Sequence, residues 1–141
     1  MAVRVRLRLR SRFGGLEAET SALVNSGYEA DSPQLLLPRP LAARLGLWPP
    51  PPEAELVEVG TAGGVVRNYL VRRALEVQVV TGDRVVGPVT ADAMISSIEQ
   101  EVLISDQLGG LLGIVILDLR GRWRFSDEDT VRDSEPPQYW Y

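Results

Sequence analysis

The chain has 141 residues, 45% of them hydrophobic, and a formal net charge of −4; this length suits one folded domain, and the charge argues against a general nucleic-acid binder. It contains no histidine and no cysteine, which excludes disulfides, Ser-His-Asp and Cys-His catalysis and the commonest metal ligand. All 15 basic residues are arginine, which excludes Schiff-base lysines and a lysine-containing phosphate loop.

The first segment predicts a β-hairpin. Residues 3–13, VRVRLRLRSRF, alternate aliphatic and charged side chains, as expected of a strand with one buried face. Two glycines then signal a turn, and residues 16–24 return as a second strand. The arginine face would either bind an anion or form a solvated face that pairs with Glu17 and Glu19 across the hairpin.

A polar turn, Asn25-Ser26-Gly27, follows this second strand. The apolar run at residues 35–37 then predicts another buried strand. Residues 40–47, PLAARLGL, predict a short helix, because Pro40 suits the first turn and Gly46 suits the end.

The middle of the chain predicts mostly strand. Residues 56–80 predict a hairpin whose tip carries the sequence GTAGG, and residues 84–90 predict a further strand. Residues 102–105 predict a buried strand. A second short helix is expected over residues 106–114, with Asp106 as its N-cap.

Two short strands, at residues 115–119 and 123–125, are expected after this helix, with Asp118 capping a turn. Residues 126–135 are acidic and polar, which predicts an exposed segment, and the following aromatic residues need a surface to pack on. Many short strands separated by glycine turns predict an all-β barrel or sandwich. The similar sequences LAARLGL and LGGLLGI each follow a strand, which suggests two related halves.

These features, in this order, resemble the retropepsin-like (clan AA, retroviral-type) aspartic proteases of prokaryotes and archaea. The sequences ALV, NSGY, LLLP and LAARLGL are similar to the active-site half of that family. VEVGTAGGVVRNY is similar to its glycine-tipped flap hairpin, and VLISDQLGGLLGIVILDLRGRWRF is similar to its closing segment. The resemblance covers about residues 3–125.

The resemblance implies an all-β acid-protease fold, a closed β-barrel with one or two short helices. This domain would span residues 1–125, and an acidic and aromatic C-terminal tail would span residues 126–141. It also implies a homodimer, because each subunit of this family supplies half of a site. In that site, each subunit contributes one aspartate from an Asp-Thr-Gly or Asp-Ser-Gly turn. The two aspartates share a proton and activate water for peptide-bond hydrolysis.

For this chain, the resemblance assigns the catalytic turn to Asn25, Ser26 and Gly27. Ser26 would donate a hydrogen bond across the dimer, and Gly27 would permit the close backbone approach that the turn requires. Substrate contacts are assigned to Tyr28, Glu29, Thr61, Ala62, Gly63 and Gly64. The last four form the tip of the flap, which would close over a bound peptide.

Asn25 departs from the family pattern, because an amide stands where the catalytic Asp is expected. An amide cannot deprotonate water, so the chain as written is expected to be inactive or nearly so. Either a native Asp was changed to Asn, or the chain is a natural pseudoprotease that binds peptides or proteins. A third hypothesis treats the turn as an ordinary strand end, because Asn, Ser and Gly are common turn residues. Ser105 also departs, since the family usually has glycine there.

Location and partners follow from simpler features. No apolar run approaches the ~20 residues of a membrane span, and the alternating N-terminus lacks the apolar centre of a signal peptide. We therefore expect a cytoplasmic protein whose partners are a second copy and a peptide or unfolded-protein substrate. Neither a cofactor or metal nor a nucleic-acid or membrane partner is expected.

Overall fold

The structure, a computed structural model, describes residues 2–141. Met1, the first residue of the predicted 1–125 domain, lies outside the described residues. No helix in the described range is long and apolar enough to cross a bilayer. The strands are β1 (Arg4–Ser11), β2 (Glu17–Val24), β3 (Gln34–Pro38), β4 (Glu55–Thr61), β5 (Gly64–Val80), β6 (Val85–Ser96), β7 (Val102–Ile104), β8 (Ile114–Asp118), β9 (Arg122–Phe125) and β10 (Arg132–Asp133). The helices are α1 (Arg39–Arg44) and α2 (Asp106–Leu111).

Six strands close into a barrel in the order β1-β2-β7-β3-β6-β5, with β5 pairing back onto β1. Strand β4 extends this sheet as a seventh strand beyond β5, and strands β8, β9 and β10 form a separate small sheet. The predicted closed β-barrel with two short helices is therefore confirmed.

The alternation in the first segment determines which side of β1 faces the core. Val5, Leu7 and Leu9 are fully buried, whereas the arginines between them project outwards, as the twofold period of a strand requires. Arg8 lies directly opposite Glu19 in the hairpin, and its Nε is 3.6 Å from a Glu19 carboxylate oxygen. The predicted hairpin and the pairing of its arginine face with Glu19 are both confirmed.

Some predicted boundaries change. Helix α1 ends at Arg44, and the chain leaves it through Gly46, whose positive φ of 74° favours glycine. Helix α2 ends at Leu111 rather than 114. Strand β6 continues to Ser96, beyond the predicted limit of 90, because its second half pairs with both β5 and β3. The N-cap of α2 is Ser105, so the prediction of Asp106 as the cap is wrong by one residue.

The barrel contains two related halves that interlock. Each half consists of a strand, a turn, a second strand and a helix: β2, β3 and α1 in the first half, and β6, β7 and α2 in the second. The second strands, β3 and β7, pair antiparallel at the centre. The first strand of each half pairs in parallel with the second strand of the other half. This topology agrees with the two halves suggested by the sequence.

The C-terminal segment packs along the barrel. β10 pairs with β9. Further along, the Ser21 backbone N–H donates to the Gln138 side chain at 3.1 Å, and Trp140 Nε1 donates to Thr20 Oγ1 at 2.9 Å. Because β7 pairs only with residues 22–24 of β2, these contacts cover a strand edge that would otherwise be open.

The segment at 126–135 is anchored by Arg132, so its prediction as simply exposed is wrong in part. The Arg132 guanidinium lies 2.6 Å from the Asp83 carboxylate and 2.7 Å from the Glu128 carboxylate, and only 11% of its side chain is exposed. It also lies 5.3 Å from the centroid of the Phe125 ring. The Asp83 partner is distant in sequence, so the local pattern of 126–135 did not reveal it.

We expect Trp140→Ala to lower the free energy of unfolding by about 2 kcal/mol, because it removes half-buried apolar surface and the hydrogen bond to Thr20. Urea denaturation measures the change. Tyr141→Ala is the matched control, since 84% of Tyr141 is exposed, and it should change stability by less than about 0.5 kcal/mol. Equal effects of the two substitutions would contradict the assigned role of Trp140.

The Arg132 contacts also predict a dependence on pH. The pKa of Asp83 is lowered from 3.8 to about 2, and the pKa of Glu128 is lowered from 4.5 to about 2. In both cases the hydrogen bonds from Arg132 are the largest cause. A carboxyl group with a lowered pKa stabilises the folded state above its ordinary pKa, and that contribution is lost as the pH falls towards the lowered value.

Arg132→Gln should therefore reduce stability at neutral pH and flatten the loss of stability between about pH 5 and about pH 2. Thermal unfolding followed across this range measures the slope. Arg67→Gln serves as the control, because its 3.8 Å pair with Glu58 joins two side chains that are 70% and 68% exposed. An unchanged slope in the Arg132 variant would contradict the assignment.

Candidate functional site

The turn at Asn25 is fixed to the barrel by its backbone. The Asn25 N–H donates to the carbonyl of Ile104 on β7 at 3.2 Å, and the Asn25 carbonyl accepts the N–H of Tyr28 at 3.0 Å. The turn therefore begins over the end of β7, a strand of the other half of the repeat. This pairing positions a polar side chain at the rim of the barrel.

The Asn25 side chain is held by its oxygen. Oδ1 accepts the Gly27 N–H at 3.0 Å, and among residues 2–141 the amide nitrogen makes no hydrogen bond. A carboxylate of the same shape would accept the same hydrogen bond. A Cβ atom at Gly27 would lie 3.3 Å from Asn25 Oδ1, so a larger residue at position 27 would crowd the Asn25 side chain. Ser26 is exposed and its hydroxyl makes no hydrogen bond within the described range.

Tyr28 links the turn to an apolar cluster outside the main core. Its ring packs against a cluster that also includes Leu36, Leu70, Met94, Val57, Val59 and Leu103. Its hydroxyl donates to Gln34 Oε1 at 3.0 Å. Burial, and secondarily the charge of Asp92, raise the pKa of Tyr28, so the phenol stays neutral and remains a hydrogen-bond donor.

A buried polar network fixes the loop between β2 and β3. Gln34 Nε2 donates to Ser32 Oγ at 3.3 Å, and Ser32 Oγ donates to Asp92 Oδ2 at 2.7 Å. Asp92 is only 6% exposed, and its other carboxylate oxygen accepts the backbone N–H of Arg73 at 2.8 Å. Arg73 has a left-handed φ of 49° at a register shift in β5. Asp92 therefore stabilises both the loop and this irregular strand.

The start of α2 holds the same loop from the other side. The Asp106 N–H donates to the Tyr28 carbonyl at 2.9 Å, and Asp106 Oδ1 accepts the Ala30 N–H at 3.1 Å. Ser105 Oγ accepts the Leu108 N–H at 3.2 Å and the Gln34 N–H at 3.0 Å. The serine at 105 thus supplies both the helix cap and a contact to β3, two interactions that glycine would not make.

The β4–β5 hairpin lies over the apolar cluster that contains Tyr28. Val57 and Val59 of β4 pack against the cluster that contains Tyr28, whereas β5 pairs with β6 only from Tyr69 onwards. Residues 64–68 of β5 pair only with β4. This part of the hairpin, which includes its tip, therefore projects past the barrel. It is supported by strand pairing within the hairpin and by the packing beneath it.

The tip of this hairpin is a two-residue turn, Ala62-Gly63. Thr61 Oγ1 donates to the Gly64 carbonyl at 2.7 Å and accepts the Gly63 N–H at 3.2 Å. Gly64 has a φ of 116°, which favours glycine. All four residues are exposed, so the predicted glycine-tipped hairpin is present, with its tip in solvent.

The predicted site residues thus fall into three groups. Asn25, Gly27 and Tyr28 form one hydrogen-bonded unit; Ser26 and Glu29 are exposed beside it; the residues of the hairpin tip lie apart from it along the hairpin. Sequence reasoning missed the buried Gln34–Ser32–Asp92 network, for which the lone acid in the apolar sequence TADAMIS was a weak signal. No protein-family model matches the chain and no curated protein matches it.

We expect Ser105→Ala to destabilise the protein by about 1–2 kcal/mol, because the cap of α2 and the contact to the Gln34 N–H are both lost. Ser26→Ala is the matched control and should leave the unfolding of the single chain within about 0.5 kcal/mol. Chemical denaturation at low protein concentration measures both. A neutral Ser105 substitution would contradict the assigned capping role.

Proposed function

We propose that the protein is a retropepsin-like aspartic endopeptidase in which Asn25 stands in the position of the catalytic aspartate. The observation that carries this proposal is the Asn25 side chain at the end of a barrel strand, bonded through Oδ1 to the Gly27 N–H. Because that contact suits a carboxylate equally well, the turn is compatible with an aspartate at this position. The chain as written is then inactive or nearly so.

Three further observations support the proposal. The interlocked halves position the turn over the end of a strand of the other half. The β4–β5 hairpin lies over the Tyr28 cluster, as a flap over a substrate groove would. The exposed hydroxyl of Ser26 is available to a second copy of the chain. A cytoplasmic location and the absence of nucleic-acid and membrane partners stay predictions from the sequence.

The proposed chemistry requires two copies with aspartate at position 25, since one chain contributes one such side chain. Two carboxylates at a twofold axis cannot both ionise, so they share one proton. The ionised carboxylate takes a proton from water as the water oxygen bonds to the peptide carbonyl carbon, and the protonated one donates to the carbonyl oxygen. The Gly27 N–H, by bonding to Oδ1, favours the ionised form. Collapse of the intermediate, with a proton transferred to nitrogen, breaks the peptide bond.

A second candidate function is peptide or protein binding without cleavage by a natural pseudoprotease. It is favoured by the amide at Asn25, which cannot exchange a proton in this role. Strand β4 is the last strand of its sheet, so its outer edge can accept an extended segment by strand addition. Leu56 of this strand, which is 56% exposed, supplies apolar surface for such a segment.

Asn25→Asp tests both candidates. We expect this variant to cleave unfolded protein between about pH 3 and about pH 7, at a rate at least 10²- to 10⁴-fold above the unaltered chain, the usual contribution of general acid–base groups. Mass spectrometry of the products measures the cleavage. A statine-type inhibitor, which mimics the transition state, should abolish it.

Asn25→Ala is the matched control and should stay inactive at every pH. Sedimentation of the Asn25→Asp variant, with and without inhibitor, measures dimer formation. Peptide binding without cleavage by Asn25→Asp would favour the second candidate. A variant that stays monomeric at high concentration and binds neither peptide nor inhibitor would contradict both candidates.

A further inference from the structure

Asn25 is also placed for a reaction of its own side chain. We propose that Asn25 is a deamidation site, at which the side-chain amide is converted to a carboxylate through a cyclic imide formed with the backbone nitrogen of Ser26. The modification depends only on the geometry of the turn. Its consequence, conversion of a latent chain into an active peptidase, rests on the proposed function.

The nucleophile of this reaction is available. Ser26 is exposed, and within the part of the chain that the structure describes its backbone N–H donates no hydrogen bond. Hydroxide can therefore reach this N–H and remove its proton, and no existing contact has to break first. The side chain of residue 26 is small, so it does not shield the peptide bond that reacts.

The electrophile is activated by the turn itself. The Gly27 N–H lies 3.0 Å from Asn25 Oδ1, so it polarises the amide carbonyl. The same donor stabilises the negative charge that develops on Oδ1 when a nucleophile adds to the side-chain carbon, as oxyanion-hole donors do. The amide nitrogen, the leaving group, makes no hydrogen bond in residues 2–141. Its departure therefore costs the turn no contact.

The reaction balances without an added reagent. The deprotonated Ser26 nitrogen bonds to Asn25 Cγ, the bond from Cγ to the amide nitrogen breaks, and this nitrogen leaves as ammonia after taking a proton. Water then opens the ring. Cleavage of the new Cγ–N bond gives aspartate with the original backbone, whereas cleavage of the original peptide bond gives isoaspartate. The net change is one water consumed and one ammonia released.

The chain contains an internal control for this chemistry. Asn68 is the second of its two asparagines; it is 4% exposed and lies in β5, opposite Val57 of β4. A paired strand holds its backbone extended, and burial keeps hydroxide away. Asn25 should therefore deamidate faster than Asn68.

The normal aspartate product fits the existing turn. A carboxylate at position 25 keeps the hydrogen bond from the Gly27 N–H, and the backbone contacts to Ile104 and Tyr28 are unchanged. The isoaspartate product inserts an extra carbon into the backbone between these contacts and disrupts the turn. Only the first product would give the dyad of the proposed function.

The test follows fresh protein during incubation in mildly alkaline and mildly acidic buffers, in water enriched in heavy oxygen. Proteolytic digestion and mass spectrometry quantify aspartate and isoaspartate at each asparagine position. We expect Asn25 to convert several-fold faster than Asn68, faster in alkaline buffer, and with one heavy oxygen incorporated at the converted residue. Peptidase activity at acidic pH should rise in proportion to the fraction of chains in which Asn25 has been converted to normal aspartate.

Two variants complete the experiment. Asn25→Gln, whose longer side chain forms the imide far more slowly, should stay unmodified and inactive. Asn25→Asp should be active from the first measurement. Conversion of Asn25 no faster than that of Asn68 overturns the modification site, and activity of Asn25→Asp then leaves the proposed function standing. Conversion without activity, together with an inactive Asn25→Asp, upholds the modification and overturns the proposed function.

Discussion

The parallel pairing of β2 with β7, and of β6 with β3, is the constraint on which the rest of the structure depends. Strands β2 and β3 are consecutive in the chain but separated by β7 in the sheet. The connection between them must therefore pass over the end of β7. Because α2 begins there, the connection meets the first backbone groups of a helix, and the Asp106–Tyr28 and Asp106–Ala30 hydrogen bonds follow. The polar turn is held at the barrel rim by the topology.

Polar side chains at this rim hydrogen-bond to one another in place of water. Tyr28, Gln34, Ser32 and Asp92 form a chain of hydrogen bonds between the loop and two barrel strands. A buried carboxylate is tolerated only when it is paired or hydrogen-bonded, and Asp92 accepts from both Ser32 and Arg73. Such a network restrains the loop more than apolar packing alone, since each donor must meet one acceptor.

The sequence predicted the parts of the structure that depend on local periodicity. The alternation of β1 and its pairing with β2, the two short helices and the glycine-tipped hairpin were all recognisable. Asp106 was misassigned because an aspartate is as good a cap as a serine, whereas in the structure Ser105 Oγ accepts the N–H groups of both Leu108 and Gln34. Arg132 contacts Asp83, and Asp92 contacts Ser32 and Arg73. These residues are distant from one another in the chain, so no local pattern encodes the contacts. The hydrogen bond from the Gly27 N–H to Asn25 Oδ1 is local and typical of asparagine in turns, whereas the contacts of this turn with Ile104 and Asp106 were visible only in three dimensions.

Gln138 and Trp140 cover the edge of β2, but they are synthesised long after that strand. Residues 20 and 140 are joined by a direct hydrogen bond, so the first hairpin has an uncovered edge until more than a hundred further residues have left the ribosome. Contacts of such separation slow folding, because a long loop must close before they contribute. During synthesis the nascent barrel therefore presents an unpaired strand edge to neighbouring chains.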